Sequence, residues 1–361
     1  MLNRSLHAQL YTFLRNLTLS RNNSIYDDFE KYEAYERQIT RKLQTRQQRR
    51  KPKQKVAKTW TKDDSLRVIA QSLQIEDVTF SYVPGEHEAG WVLAALQSFF
   101  AEEYIVDVVG LVKGGKEANV YQCKAHPSLG VEFVAAKIYR PKMFRQLRND
   151  SMYKEGRAIL GGDGEEVSER NKREMRAIKH KSKFGDYLSH QSWLMHEFKT
   201  LELLYDAGVS VPKPYGIANN AILFGFIGDA DGAAPLLSSV NLRKHLNSRA
   251  EIHRLFRITI DTIELMVMNN LVHGDLSAYN ILFWENDIVF IDFPQATNAK
   301  KNRNARMILQ RDIQRVCDYF QKQGIQCRPH AIADALWFDY IALSEAEEEA
   351  ELSRLQGAEA A

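Results

Sequence analysis

HGDLSAYNILFWENDIVFIDF, residues 273–293, holds two apolar runs, ILFW and IVFIDF, on either side of a polar break at Glu285, Asn286 and Asp287. Short β-branched and aromatic runs flanking such a break predict an antiparallel hairpin. With the turn centred on Asn286, residues 280 and 292 are equidistant from it, and antiparallel pairing would set Asn280 beside Asp292 at the open end. A carboxylate and an amide oxygen, with phosphate oxygens completing the octahedron, suit Mg²⁺, which dehydrates reluctantly and seldom takes an all-protein cage. Asp275, upstream of the hairpin, is left for a separate task.

The spacing Asp-x-x-x-x-Asn from Asp275 to Asn280 matches the catalytic loop of protein kinases. There the aspartate orients and deprotonates the attacking hydroxyl and the asparagine holds metal; His273 would brace the loop. Lys137 lies in VAAKIY on a predicted strand, close to the VAIK pattern whose lysine contacts the α and β phosphates. Its partner should be a helix glutamate. Glu197, three residues after Leu194 and next to Phe198, flanks an apolar helix face, and Glu202 is the weaker candidate. Gly110, Gly115 and Lys116 approach a Walker A pattern, but Glu117 stands at its Ser/Thr position and ANVYQC reads as strand. Gly115 and Lys116 are instead expected in a strand–turn–strand flap over nucleotide phosphates. Singly, each residue has a plainer reading: turn caps for Asp275 and Asn280, a strand end for Asp292, a solvated lysine, an ordinary hairpin turn. Their joint occurrence in the right structural context favours chemistry.

Outward from this segment the chain is ordinary in composition, with 361 residues, 44% hydrophobic and 26% charged. That suffices for a two-lobed domain with an appendage. The net charge of +3 argues for no polyanion, but its distribution is uneven. RKLQTRQQRRKPKQKVAK, residues 41–58, contains no acid and reads equally as a solvated linker or as an arm for nucleic-acid phosphates. Cys123, Cys317 and Cys327 make no CxxC pair and no zinc-ligand spacing, which fits a reducing compartment. The first residues lack a signal-peptide core and no stretch approaches membrane-spanning length, so a cytoplasmic protein without membrane contact is expected.

Leu6, Leu10, Phe13, Leu14 and Leu17 predict an amphipathic helix that docks on the body, the favoured reading, or on a partner, ahead of the basic linker, in a segment 1–58. A helical lead-in follows over 59–105. Three antiparallel strands, IVDVVGLV, ANVYQC and FVAAKIY, open an N-terminal lobe over 106–227, interrupted by a mobile, basic loop over 140–191. Helix resumes at Ser192, and Leu194, Phe198, Leu201, Leu204 and Tyr205 carry its apolar face to Gly208. AILFGFI is a strand, 251–270 a buried helix, and 228–343 a helical lobe holding the catalytic loop. SEAEEEAELSRLQGAEAA, over 344–361, is an acidic tail.

GKEANVY at 115–121, AAKIYRP at 135–141, HEFKTLELLYDAGVSVPKP at 196–214, HGDLSAYN at 273–280 and IDFPQ at 291–295 resemble signatures of the RIO family of atypical serine/threonine protein kinases. The likeness runs from about Val106 to Asp318. It implies an α+β bilobal, protein-kinase-like fold with a small antiparallel sheet and one long helix in the N-lobe, a mainly helical C-lobe and no activation-loop segment. It further implies ATP with Mg²⁺, or Mn²⁺ in its place, hinge contacts at Phe226 and Ile227, and an Asp292 that can be phosphorylated transiently. Many relatives act in maturation of the small ribosomal subunit, so ribosomal RNA or a pre-ribosomal particle is the partner implied for the 41–58 arm; no protein substrate is named by the sequence. Independently, IDFPQ runs within a few residues into the helix-like RMILQRDIQRVCDYF, without an APE segment. The sequence departs from the family at Lys113 and Gly114, where relatives often carry Ser and Thr, and at Gly225, where a glutamate is frequent. Two other functions fit the same residues: a nucleotide-switched ribosome-associated binding protein with slow ATPase, and a small-molecule kinase of kinase-like fold.

Overall fold

Lys137 stands fifth along a seven-residue strand whose side chains alternate between two helices, and that alternation organises the N-terminal half. The computed structural model describes residues 80–343 apart from 86–87, 116, 140–150, 156, 162–163, 165, 168–171, 181, 219 and 247. The helix expected over Leu6 to Leu17, the basic run 41–58, the acidic tail and Lys116 lie outside the described residues.

β1 (Ile105–Gly114), β2 (Ala118–Ala125), β3 (Phe133–Tyr139), β4 (Pro214–Ala218) and β5 (Ala221–Gly225) form one antiparallel sheet in the order β1-β2-β3-β5-β4. On one face, α1 (Ala89–Ala101) packs Val92, Leu93, Leu96 and Phe99 against Ile105, Tyr121, Val134, Ala136 and Ile138. The residues leading into the sheet therefore share its core. On the other face, Tyr139 and Ile222 meet Trp193, Leu194 and Phe198 of a long helix over Lys183–Asp206. Lys137 lies between Val120 and Ile222 in the ladder and shares this second face with Tyr139.

The stretch 140–191, read from the sequence as a loop, carries α2 (Ser151–Lys154), α3 (Lys172–Lys179) and the first two turns of α4 (Lys183–Asp206). Helix α4 thus starts nine residues before the expected Ser192. Ser182 caps it by accepting from the Gly185 N–H at 3.0 Å, and Gly185 lies so close to α3 that a Cβ would come within 2.0 Å of the Ala177 carbonyl. Packing here depends on isolated anchors, a glycine contact, Tyr187 and Tyr153, which a polar stretch hides from periodicity. Tyr205, expected on the apolar face, is exposed in the last turn, where Gly208 at φ +78° ends the helix.

β6 (Gly228–Asp229) and β7 (Gly232–Ala233) make a small hairpin after the sheet. The helical half follows with α5 (Leu242–His245), α6 (Arg249–Met268), β8 (Leu271–Val272), β9 (Ile281–Trp284), β10 (Asp287–Phe290), β11 (Thr297–Asn298), α7 (Ala305–Lys322) and α8 (Pro329–Trp337). A capping box between Ser248 and Glu251 opens α6. Its Leu255, Ile263 and Met266 share one core with Ile281, Ile288 and Phe290 of the hairpin and Ile308, Ile313 and Phe320 of α7. The hairpin turns on two residues, Glu285 and Asn286, both in the left-handed region at φ +50° and +61°. This tight turn pairs Trp284 with Asp287 and corrects the expected register by one. Asn280 faces Ile291, whose N–H donates to the Asn280 carbonyl at 3.0 Å, and Asp292 is the next residue along.

Candidate active site

β8 and β11 pair Val272 with Thr297, so the loop after β8 and the loop after β10 leave one small ladder together. His273, buried at the start of the first loop, donates from Nε2 to the Ile291 carbonyl at 3.2 Å and accepts the Asp275 N–H on Nδ1 at 3.3 Å. Burial holds it below the ordinary histidine range, against the pull of Asp312 and Asp292, so it bridges the two loops as neutral imidazole. Gly274 follows at φ +89°, where a Cβ would meet the Gln295 carbonyl at 2.1 Å. Its N–H donates to Asp312 Oδ2 at 2.9 Å and its carbonyl accepts from Arg311, which also reaches the Tyr153 hydroxyl at 2.8 Å.

These contacts present Asp275 with its side chain about half exposed. Arg315 Nη1 donates to Asp275 Oδ1 at 2.7 Å. Asn280 Nδ2 donates to the Asp275 backbone carbonyl at 2.9 Å and lies 3.5 Å from Oδ2. With Nδ2 committed there, the atom Asn280 can offer a cation is Oδ1.

Lys137 brings the sheet to the second loop, the one after β10. Its Nζ lies 2.6 Å from Glu197 Oε1 and 2.5 Å from Asp292 Oδ1, and the Tyr139 hydroxyl donates to Glu197 Oε2. Burial works to lower the Lys137 pKa, but Asp292 and Glu197 together raise it, so the ammonium stays charged. Burial pushes the Glu197 carboxyl up to about 7 against the pull of Lys137. Burial acts to raise the Asp292 pKa, although the side chain keeps 41% of its surface toward solvent, and the neighbouring cations outweigh it. Lys137, with smaller help from His273 and Lys113, holds it below the usual carboxylate range. Asp292 sits at φ +74°, rare for a residue with a side chain, and Arg157 fastens the backbone just beyond it by donating to the Pro294 carbonyl at 2.9 Å and to that of Ala296.

The structure thus brings Lys137, Glu197 and Asp292 into contact, and Asp275 and Asn280 into contact in the adjoining loop. Glu202, the weaker partner for Lys137, pairs instead with Lys199 at 2.9 Å on the surface of α4. Gly115 closes the β1–β2 turn, its N–H donating to Ala118 O at 2.9 Å, in a spot where a Cβ would come within 2.7 Å of that oxygen. Phe226 and Ile227 lie between β5 and β6, where the chain leaves the sheet; the Ile227 carbonyl accepts the Ala234 N–H at 2.9 Å. Sequence reasoning passed over Arg311, Asp312 and Arg315. An acid at 312 on the apolar stripe of Leu309, Ile313 and Val316 was the available signal, because a buried carboxylate needs a partner. Among the described residues no three or more His, Cys, Asp and Glu side chains converge on a metal position, and no helix is long and apolar enough to cross a membrane.

A five-stranded antiparallel sheet carrying a buried Lys–Glu pair, joined to a helical half with an Asp-x-x-x-x-Asn loop, is the protein-kinase-like arrangement. The family model described as the RIO domain matches residues 162–332. The RIO-type serine/threonine-protein kinase Rio1 of Thermoplasma acidophilum is 34% identical over 142 residues, 39% of this chain and 70% of that protein. Rio1 of Haloferax volcanii is 29% identical over 233 residues, 64% and 69% of the two chains, and Rio2 of Methanocaldococcus jannaschii is 34% identical over 160 residues, 42% and 56%. The chain belongs to the RIO family of atypical kinases.

Proposed function

We propose that this protein is an ATP- and Mg²⁺-dependent phosphotransferase of the RIO type, acting as a serine/threonine protein kinase and ATPase. The observation that carries the reading is the bridge of Lys137 to Glu197 on one side and Asp292 on the other, which ties a buried lysine of the sheet to the loop after β10 in the helical half. In this reading Lys137 exchanges part of its contact with Asp292 for the α and β phosphates when ATP enters, while Glu197 keeps it in place. The turn at Gly115 and Lys116 covers the phosphates, and backbone groups of Phe226 and Ile227 border the adenine. Asp275 accepts the proton of the attacking hydroxyl as the new O–P bond forms, and the bond from the γ-phosphorus to the β–γ bridging oxygen breaks to release ADP.

Asn280 Oδ1 and the Asp292 carboxylate are the oxygens that would hold a cation, and both suit a hard ion that takes its remaining ligands from phosphate and water. Such an ion would neutralise charge on the β and γ phosphates.

One observation favours a second reading, a nucleotide-switched ATPase acting on a ribosomal precursor. The chain between Asp292 and the start of α7 at Ala305 is taken up by β11 and by contacts to the 151–157 segment, including Asn302 to the Met152 carbonyl at 2.8 Å. A peptide-docking activation segment has no length to form there. Incubation with γ-labelled ATP and a pre-ribosomal fraction separates the two. Label accumulating on added protein supports the kinase; stoichiometric retention of label with slow phosphate release supports the switch; no Mg²⁺-dependent turnover contradicts both.

A further inference from the structure

The loop that carries Asp275 contains no cation of its own. HGDLSAYN, residues 273–280, has neither Lys nor Arg, and burial keeps its single histidine in the neutral range. Among the described residues, the cation within hydrogen-bonding distance of the Asp275 carboxylate comes from α7: Arg315 Nη1, 2.7 Å from Oδ1. It is the third grip of one helix face on the same two loop residues. Arg311 donates to the Gly274 carbonyl, Asp312 accepts the Gly274 N–H at 2.9 Å, and Arg315, one turn on, takes the carboxylate.

We propose that Arg315 is a positioning residue for phosphoryl transfer, holding the Asp275 carboxylate in the rotamer that receives the acceptor's proton. The proposal rests on the assignment of Asp275 as the proton acceptor. Asn280 fixes the backbone of Asp275 through its carbonyl but approaches Oδ2 only to 3.5 Å, so Arg315 makes the shorter contact to the carboxylate itself. Without it, a side chain 46% exposed is free to leave the productive rotamer. A base misplaced by about 1 Å can cost on the order of 100-fold in rate, which is the effect Arg315 prevents. Because Arg315 and Asp275 are both well exposed, at 40% and 46%, their pair adds little to folding, and its effect on turnover can be read without a change in stability.

The test measures Mg²⁺-ATP turnover of the full chain and of Arg315→Ala, Arg315→Lys, Asp275→Asn and the Arg315→Ala/Asp275→Asn double variant, with Arg306→Ala as control. Arg306 lies on the same helix but pairs with Asp334 of α8 at 2.9 Å, away from the loop. Arg315→Ala should lower kcat by roughly 10- to 100-fold with little change in the KM for ATP or in melting temperature. Arg315→Lys should recover part of the loss, and added methylguanidine should restore part of the Arg315→Ala activity. In the Asp275→Asn background, removing Arg315 should cost nothing further, because it acts through that carboxylate. An unchanged or raised kcat in Arg315→Ala overturns the proposal, as does a full additional loss in the double variant. Full turnover by Asp275→Asn would instead overturn the assignment of Asp275.

Discussion

The Tyr139 hydroxyl and the Lys137 ammonium divide one buried carboxylate between them, Lys137 on Glu197 Oε1 at 2.6 Å and Tyr139 on Oε2. The two donors stand two residues apart on β3, so strand alternation alone aims both at α4. Burial pushes Glu197 up to about 7 against the pull of Lys137, and the Tyr139 hydroxyl supplies the carboxylate's other hydrogen bond.

Tyr139→Phe should therefore weaken the protein without emptying the core, since the ring keeps its contact with Trp193, 4.7 Å between centroids. Loss of a hydrogen bond to a buried carboxylate costs about 1–3 kcal/mol. The expected outcome is a lower melting temperature together with a several-fold higher KM for ATP, as Glu197 holds Lys137 less firmly. Calorimetry and steady-state kinetics on the same preparation check both; an unchanged KM would detach Tyr139 from the nucleotide site.

Gly274→Ala should be among the most damaging single-methyl additions. The residue sits at φ +89° and its Cβ would lie 2.1 Å from the Gln295 carbonyl, so strain and overlap combine. A loss on the order of 3 kcal/mol is expected. Because Gln295 lies just past Asp292, turnover should fall even below the melting transition; a variant as active and as stable as the parent would contradict the loop geometry.

His196 and His273 give stability a pH dependence. Burial holds both below the ordinary histidine value of 6.5, in His196 against the opposing hydrogen bond to the Ala158 carbonyl at 2.6 Å. As pH falls below 6.5 the unfolded chain takes up protons that the folded chain does not, so the slope of stability against pH is positive there. The contribution is fully present above that pH and declines below it, by up to about 1.4 kcal/mol per pH unit for each histidine. Glu197, raised instead of lowered, works in the opposite direction, so the measurement compares the wild type with a His196→Gln/His273→Gln variant that retains it. Urea midpoints between pH 7.5 and 5.5 should fall more steeply in the wild type; equal slopes would show that neither histidine is held neutral.

Much of this site was legible in the sequence because its parts are local. Asp275 and Asn280 share one loop, Lys137 sits in a strand of β-branched and aromatic neighbours, and Glu197 occupies a periodic helix. The hairpin was legible too, but its register was not. A turn of two left-handed residues instead of three moved Asn280 opposite Ile291, and Glu285 does not announce a positive φ. What escaped were contacts that join distant segments: Arg315 to Asp275, Arg311 to Tyr153, Arg157 to the backbone after Asp292. A lone arginine in a helix or a lone tyrosine in a polar stretch carries no period, and only the folded chain says what it meets.

The most direct test of the central claim is Mg²⁺-dependent hydrolysis of γ-labelled ATP by the wild type, Asp275→Ala and Asp292→Ala, with melting curves alongside. Asp292→Ala removes the carboxylate 2.5 Å from Lys137, and Asp275→Ala the carboxylate proposed as proton acceptor in the adjoining loop. The account predicts turnover in the wild type and loss of at least about 100-fold in each variant while both remain folded. Turnover surviving in either folded variant would contradict the site.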